Sequence, residues 1–328
     1  MTQSLHNSRV LVVGGAGLIG SHITDLLLEE GVREVRVFDN LIRGSRDNLS
    51  DALGDPRCRL IEGDIRDRAA LRAAMSGCDF ACHQAAIRIT LCAAQPRQCL
   101  EVLVEGAFNV FEAAAKVGVK KVVYASSASV YGQAESFPTS ENHHPYGNRT
   151  LYGAAKLFDE GVARHFFDID GLASVGLRYF NVYGPRMDVT GAYTEVFMRW
   201  LDCIERGIRP QIHGDGSATM DLVYVGDVAR ANVLALKAPA VDAVYNIASG
   251  TETSLLDLWR ALQRVTGVGH LAPEFHPPRK LGSMARRLAD TSKARDDLGF
   301  VAGVSLDEGL RRLAEWRGRQ LARTEVAA

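Results

Sequence analysis

Tyr152 and Lys156 stand four residues apart at the start of a stretch with helical character, 152–167, so both side chains leave the same face. An ammonium beside a phenol favours the phenolate. With nine Tyr in the chain and Lys at about 2% of its residues, chance supplies about 0.2 such pairs. Upstream lies Ala125-Ser126-Ser127-Ala128-Ser129-Val130-Tyr131-Gly132, closing a β-branched run. Hydroxyls at the carboxyl end of a parallel strand face a ligand crevice; serines there can also simply finish the strand and satisfy loop backbone.

A second constellation sits near the N-terminus. Gly14, Gly15, Gly17 and Gly20 separate a short run, Val10 to Val13, from an amphipathic stretch, Ser21 to Glu30. The backbone N–H groups of such a loop, with the helix end behind it, hold a pyrophosphate. The spacing is G-x-x-G-x-x-G. Asp39 ends the next apolar run, 19 residues past Gly20, where a carboxylate accepts hydrogen bonds from an adenosine ribose and repels a 2′-phosphate. That favours NAD over NADP. Asp64, after the third run, is placed to reach an adenine edge or to sit solvated in its loop.

These residues need a scaffold that brings them together. Apolar runs at Val10 to Val13, Val35 to Phe38, Cys58 to Ile61, Asp79 to His83, Lys121 to Ala125 and Ala173 to Leu177 alternate with helical stretches. The pattern predicts an α/β fold, a Rossmann-type doubly wound parallel sheet with a smaller C-terminal substrate-binding lobe. We expect residues 1–180, with 221–248 returning, to form the dinucleotide-binding domain, and 181–220 with 249–328 the lobe. In the second half, the sequence predicts a helix around Tyr193 to Arg206, a Gly-rich turn at Gly214 to Gly216, a helix and strand within Asp227 to Ile247, a Pro-rich stretch near 273–278 and two short helices ending near Arg317.

The chain has 328 residues, with 38 Lys plus Arg against 39 Asp plus Glu. No block of like charge asks for nucleic acid or a membrane surface as partner. The polar start and the glycines that interrupt the first apolar run fit neither a signal peptide nor a spanning helix. Six Cys without a dense framework suit a reducing, cytoplasmic setting. Cys78, Cys82, His83, Cys92 and Cys99 cluster, but Cys82 and His83 are neighbours on a strand and point to opposite faces. No metal site is expected. His143-His144 reads as a solvated loop pair.

Taken together, Gly14/Gly17/Gly20, Asp39-Asn40-Leu41, Asp64-Ile65, His83-Gln84-Ala85-Ala86, Ser126 to Gly132, Tyr152-x-x-x-Lys156, Arg178 to Pro185 and Ala289 to Ala294 resemble the extended short-chain dehydrogenase/reductase family. Within it they are similar to the NAD-dependent nucleotide-sugar epimerases and dehydratases of the UDP-glucose 4-epimerase type. The likeness spans about Arg9 to Trp316. It implies that Gly14, Gly17, Leu18, Ile19, Gly20, Asp39, Asn40, Asp64, Ile65, Ala85 and Ala86, with Tyr152 and Lys156, surround NAD. It makes Tyr152 the base, Lys156 the ligand of the nicotinamide ribose and Ser127 the partner of the reacting sugar oxygen. Ser129 and Asn181 would border the sugar. Three positions depart from the pattern: Leu103 replaces an Asn, Cys92 a Ser, and Met220 an Arg that commonly meets a substrate phosphate. The phosphate contacts would then shift to Arg279, Lys280, Arg286 or Arg287.

The resemblance implies inversion at C4 of a UDP-hexose or UDP-hexuronate through a 4-keto sugar. A 4,6-dehydratase would need an extra acid and base; Ser127-Ala128-Ser129 stands where the resembled dehydratases carry Thr-Asp-Glu. A non-catalytic NAD sensor is the third reading, although regulatory relatives commonly lose the Tyr or Lys. His213 could stack on a base. Arg88, Arg149 and Arg186 border the expected site and could clamp a C6 carboxylate. The helix expected over Gln98 to Lys116 is apolar nearly all round, so it is covered on both sides; the resemblance implies a homodimer interface shared with the Tyr152 helix, and cover by the C-terminal lobe of the same chain is the alternative.

Overall fold

The computed structural model describes residues 3–188, 196–278 and 286–327. Each apolar run becomes a parallel strand: β1 Arg9–Val13, β2 Glu34–Asp39, β3 Cys58–Glu62, β4 Phe80–His83, β5 Lys121–Ser127 and β6 Ala173–Tyr179. Between them lie α1 Leu18–Glu29, α2 Arg68–Met75, α3 Ile89–Ala94, α4 Pro96–Cys99, α5 Ala107–Val117 and α6 Leu151–Asp170. The second half adds β7 Asn181–Tyr183, α7 Val196–Glu205, β8 Gln211–His213, β9 Thr219–Tyr224, α8 Val225–Lys237 and β10 Asp242–Ile247. It finishes with β11 Glu252–Ser254, α9 Leu255–Thr266, β12 Glu274–His276, α10 Ser292–Leu298 and α11 Leu306–Ala327.

The main sheet runs β10-β6-β5-β4-β1-β2-β3, and all its pairings are parallel. Alternation of the buried side chains explains its two covered faces. Val10 and Val12 of β1 pack with α1 and α8 on one side, and Leu11 and Val13 with α2, α5 and α6 on the other. Strand order reverses between β1 and β4, which opens a crevice at the carboxyl ends of those strands. β9 pairs with β7 and β11 in a separate three-stranded sheet, so the chain re-enters the main sheet only through α8 and β10. A third core of Phe197, Trp200, Trp259 and Leu310 supports this second half.

Three segments differ from the sequence expectation. The helix over 98–116 is broken into α4, widened π turns at Leu100–Gly106, and α5. The widened turns lay Gly106 against Ile65, where a Cβ would come within 2.6 Å of the isoleucine Cδ1. α11 is not short: it passes Gly318 because Gln320, Leu321 and Ala322 beyond it are good helix formers. The Pro-rich stretch holds β12, paired in parallel with β8. Of the helix expected over 193–206, residues 193–195 lie outside the described residues. Among the described residues no helix is long and apolar enough to cross a membrane.

A buried charged network fixes α6 on the sheet. Arg178 of β6 donates from Nε and Nη2 to the two Glu160 oxygens of α6, at 2.8 and 2.7 Å. Its Nη1 donates to the Tyr131 hydroxyl at 2.8 Å and to the Glu141 carbonyl at 2.9 Å. Ser126 Oγ donates to Glu160 Oε1 at 2.6 Å, and Tyr131 donates onward to Asn246 Oδ1 of β10 at 2.6 Å. Every member is paired, which is the condition for burying charge without a large loss of stability.

Candidate active site

Two loops meet at the point where the strand order reverses. Gly14, at φ +77°, lies so close to the turn after β4 that a Cβ would come within 2.4 Å of the Ala85 nitrogen. At Gly20 a Cβ would meet the Gly14 carbonyl at 2.3 Å. Gly17 caps α1, leaving the first N–H groups of the helix directed at this cradle. The buried Asp39 accepts from the Ala16 nitrogen through Oδ2 and from the Leu41 nitrogen through Oδ1, both at 2.9 Å. It therefore holds the glycine loop and ends β2 with a negative charge beside it. The donor-lined cradle and the adjoining acid fit the pyrophosphate and adenosine ribose of a dinucleotide.

Asp64 is gripped by Arg66, whose Nε and Nη2 donate to its two oxygens at 2.9 Å. Asn40 Nδ2 donates to the same carboxylate at 2.9 Å. The Arg66 fork holds the Asp64 carboxyl well below the usual carboxylate range. Asn109 donates to the Ile65 carbonyl at 3.0 Å, tying the Asp64-Ile65 turn to α5.

The end of β5 and the start of α6 converge. Ser127 lies in register with Tyr179, and its Oγ accepts from the Ser129 nitrogen at 3.1 Å. Thr150 caps α6 through Gly153 N–H at 3.0 Å. Gly153 permits the approach, since a Cβ there would stand 2.5 Å from the Ser129 carbonyl. Tyr152, the next residue back, is thereby brought beside the serines. It packs with Ile87, Cys92, Cys99, Leu103 and Ala155, so the departures at Cys92 and Leu103 build one apolar wall near the phenol.

Lys156 is 1% exposed. Its Nζ donates to Asp159 Oδ2 at 3.0 Å. Burial works against the ammonium, but Asp159 and Tyr152 outweigh it and Lys156 is held above its ordinary value. Burial in turn pushes Asp159 up to about 6 despite the lysine. His83, buried at the end of β4, is pushed down to about 3 by burial first and by the charge of Lys156 second. Lys156 is thus a cation flanked by a neutral imidazole and by the thiols of Cys92 and Cys99, which burial keeps protonated. Asp159 is absent from the sequence reading; an acid three residues after Lys156 is the signal that could have found it.

The remaining candidates fall in different places. Asn181 opens β7, its Oδ1 buried and without a partner among the described residues. Arg88 pairs with Asp188 at 3.2 Å and Arg186 with Asp25 at 2.6 Å, so the chain itself neutralises both proposed clamps. Arg149 is exposed. His213 Nδ1 lies 3.2 Å from the Pro277 carbonyl on the β8–β12 ribbon. Arg279 and Lys280 lie outside the described residues. Met220 pairs with Thr253 between β9 and β11, and its neighbour Asp221 binds the Ser249, Gly250 and Ala289 nitrogens at 2.8, 3.1 and 3.2 Å.

Residues 10–248 match the NAD dependent epimerase/dehydratase family. UDP-glucose 4-epimerase of Mycolicibacterium smegmatis is 35% identical over 94% of this chain and 98% of its own length. The structure of UDP-glucose 4-epimerase from Thermotoga maritima with UDP-glucose is similar at a TM-score of 0.88 and 34% identity, covering 95% of this chain and 99% of that one. UDP-glucuronic acid 4-epimerase from Bacillus cereus, in complex with UDP-glucuronic acid and NAD, matches at 0.86 and 26% identity over 95% and 99%. More distant relatives are a UDP-N-acetyl-alpha-D-glucosaminuronate decarboxylase of Bacillus cytotoxicus, 28% identical over 94% of this chain and 97% of its own, and a dTDP-glucose 4,6-dehydratase of an Actinoplanes species, 29% identical over the same shares.

The ion pair at Lys156 generates a pH test. Asp159 raises the lysine, so Asp159→Asn removes that support and lets burial lower it. Lys156 then loses its proton at lower pH, and the basic limb of the kcat/KM profile moves down with it. A profile superimposable on that of the wild type contradicts the role of Asp159.

Proposed function

The chain belongs to the NAD dependent epimerase/dehydratase family, and from that premise we propose that it inverts C4 of a UDP-hexose or UDP-hexuronate. It is an NAD-dependent sugar-nucleotide epimerase; the sugar and the residue roles are the proposed part. When bound, NAD would supply a reversible hydride acceptor for C4. Tyr152 takes the proton of the 4-hydroxyl and later returns it, while Ser127 donates a hydrogen bond to the sugar oxygen as it becomes a carbonyl. Lys156, kept charged by Asp159, favours the phenolate and binds the nicotinamide ribose. The glycine cradle with Asp39, Asn40, Asp64, Ile65, Ala85 and Ala86 holds the rest of the dinucleotide. Segments 181–220 and 249–328 form the nucleotide-sugar lobe.

One observation carries epimerisation over 4,6-dehydration. The turn that Gly153 brings against Tyr152 runs Ser127-Ala128-Ser129 and holds hydroxyls and a buried methyl, without a carboxylate to move protons at C5 and C6. A non-catalytic sensor is disfavoured by the intact phenol, ammonium and buried counter-ion. The cytoplasm, rich in NAD and reducing toward thiols such as Cys82 and Cys92, is the compartment that suits this reading.

Pairing of two copies is proposed through the α5/α6 face. Phe108, Leu151, Leu157 and Phe158 along these helices, and Leu100 in the widened turns before α5, are each 36–41% exposed, a density of large apolar groups that a second copy would cover. Sedimentation should return a dimer for the wild type and a monomer for Phe158→Asp; a wild-type monomer at micromolar concentration contradicts the pairing.

The activity is tested by incubating the enzyme with a panel of UDP sugars and following C4 by NMR. A C4 epimer of unchanged mass is expected, with Tyr152→Phe slower by at least ~10²-fold while nucleotide binding is retained. A 4-keto-6-deoxy product would mean dehydration instead.

A further inference from the structure

Most basic side chains around the site are already committed. Arg88 and Arg186 have their carboxylates, and Arg178 is consumed by Glu160, Tyr131 and Glu141. Arg286 donates to both Glu252 oxygens at 2.8 and 2.9 Å and lies over the Phe137 ring. Arg287 differs. Its Nε is shielded from solvent and has no partner among the described residues. With Tyr131, Phe180 and Ala128, the residue after Ser127, it lines a concavity. Burial alone pushes the guanidinium down. A guanidinium whose buried Nε meets no described residue is a donor set open to an anion delivered from outside the chain.

The place of Arg287 narrows which anion. Tyr152 acts on the 4-oxygen in the proposed reaction, and this inference rests on that reading. In a pyranose the diphosphate leaves from C1, across the ring from C4, whereas C6 hangs from C5, next to it. Ser127 meets the same oxygen in that reading, so an anion held by Arg287 in the concavity that Ala128 lines, one residue past Ser127, belongs to the C6 side of the sugar. We propose that Arg287 binds a C6 carboxylate as a specificity-determining residue, which makes the substrate a nucleotide-linked hexuronate. The planar guanidinium suits a carboxylate through paired N–H donors. Oxidation at C4 of such a sugar gives a β-keto acid. If the C5–C6 bond then broke, its electron pair would pass into the C4 enolate and CO2 would leave, so a grip on the carboxylate also bears on whether the carbon skeleton survives.

The test compares UDP-glucuronate with UDP-glucose on the NAD-loaded enzyme, by titration calorimetry and by NMR of the products. The wild type should favour the uronate by at least ~100-fold in kcat/KM. Arg287→Met should abolish that preference, and Arg287→Lys should keep part of it. Affinity for UDP itself, which reports both fold and diphosphate grip, should fall by less than ~3-fold in either variant. Equal treatment of the two sugars by the wild type overturns the proposal without any variant. An Arg287→Met enzyme that loses affinity for UDP as much as for UDP-glucuronate also overturns it, placing the residue on the diphosphate. Epimerisation of UDP-glucose with no preference for the uronate leaves the C4 reading standing and removes this one. Preference for UDP-glucuronate with release of CO2 and a UDP-pentose supports Arg287 as the carboxylate site and overturns the epimerase reading.

Discussion

The bidentate pair of Arg178 and Glu160 is the constraint on which the rest of the site depends. Glu160 lies on the same helix as Tyr152 and Lys156, and Arg178 lies on the strand next to the one that ends in Ser127. Fixing one to the other sets the height and rotation of α6 over the sheet, and so the distance between phenol and serine. Removing either partner would leave a charge buried and unpaired, which typically costs about 3–5 kcal/mol. Because Arg178 of β6 also holds Tyr131, and Tyr131 holds Asn246 of β10, the turn after β5 is anchored to two further strands. Positioning to a fraction of an ångström is what proton transfer from a sugar hydroxyl requires.

Around this anchor, the charges have an order. Burial works against the Lys156 ammonium, and Asp159, 3.0 Å away, offsets it. The same burial keeps His83 neutral and the thiols of Cys92 and Cys99 protonated. A positive point in an otherwise uncharged pocket is a suitable neighbour for a phenolate, because each electrostatic interaction is stronger where water is excluded. Arg287 adds a second cation in the concavity beside Ala128, and the proposed pairing with a C6 carboxylate would distinguish one sugar from another.

Local signals made much of this legible before any coordinates. Six strands followed from apolar runs, and the glycine cradle and Asp39 from spacing, because a βαβ unit writes its geometry into a contiguous stretch of residues. Tyr152 and Lys156 were readable for the same reason, being one helical turn apart. What stayed hidden depended on residues distant in the chain. Nothing near Arg186 announces Asp25, 161 residues away, and nothing near Arg178 announces Asn246, reached only through Tyr131. The widened turns at Leu100–Gly106 were also unreadable, since the Ile65 against which Gly106 packs lies about 40 residues earlier in the chain. Asp159 was local and could have been found, had the turn after Lys156 been read for its counter-ion.

The central claim is that one C4 position is oxidised and reduced within a single closed pocket, with the phenol of Tyr152 handling only the hydroxyl proton. It is tested most directly by supplying the accepted UDP sugar with deuterium at C4 and examining the epimerised product by NMR and mass spectrometry. The account predicts that the deuterium remains at C4, with none lost to water. Epimerised product carrying protium from solvent at C4 would contradict it, since the hydrogen would then have left as a proton and the inversion would have followed another route.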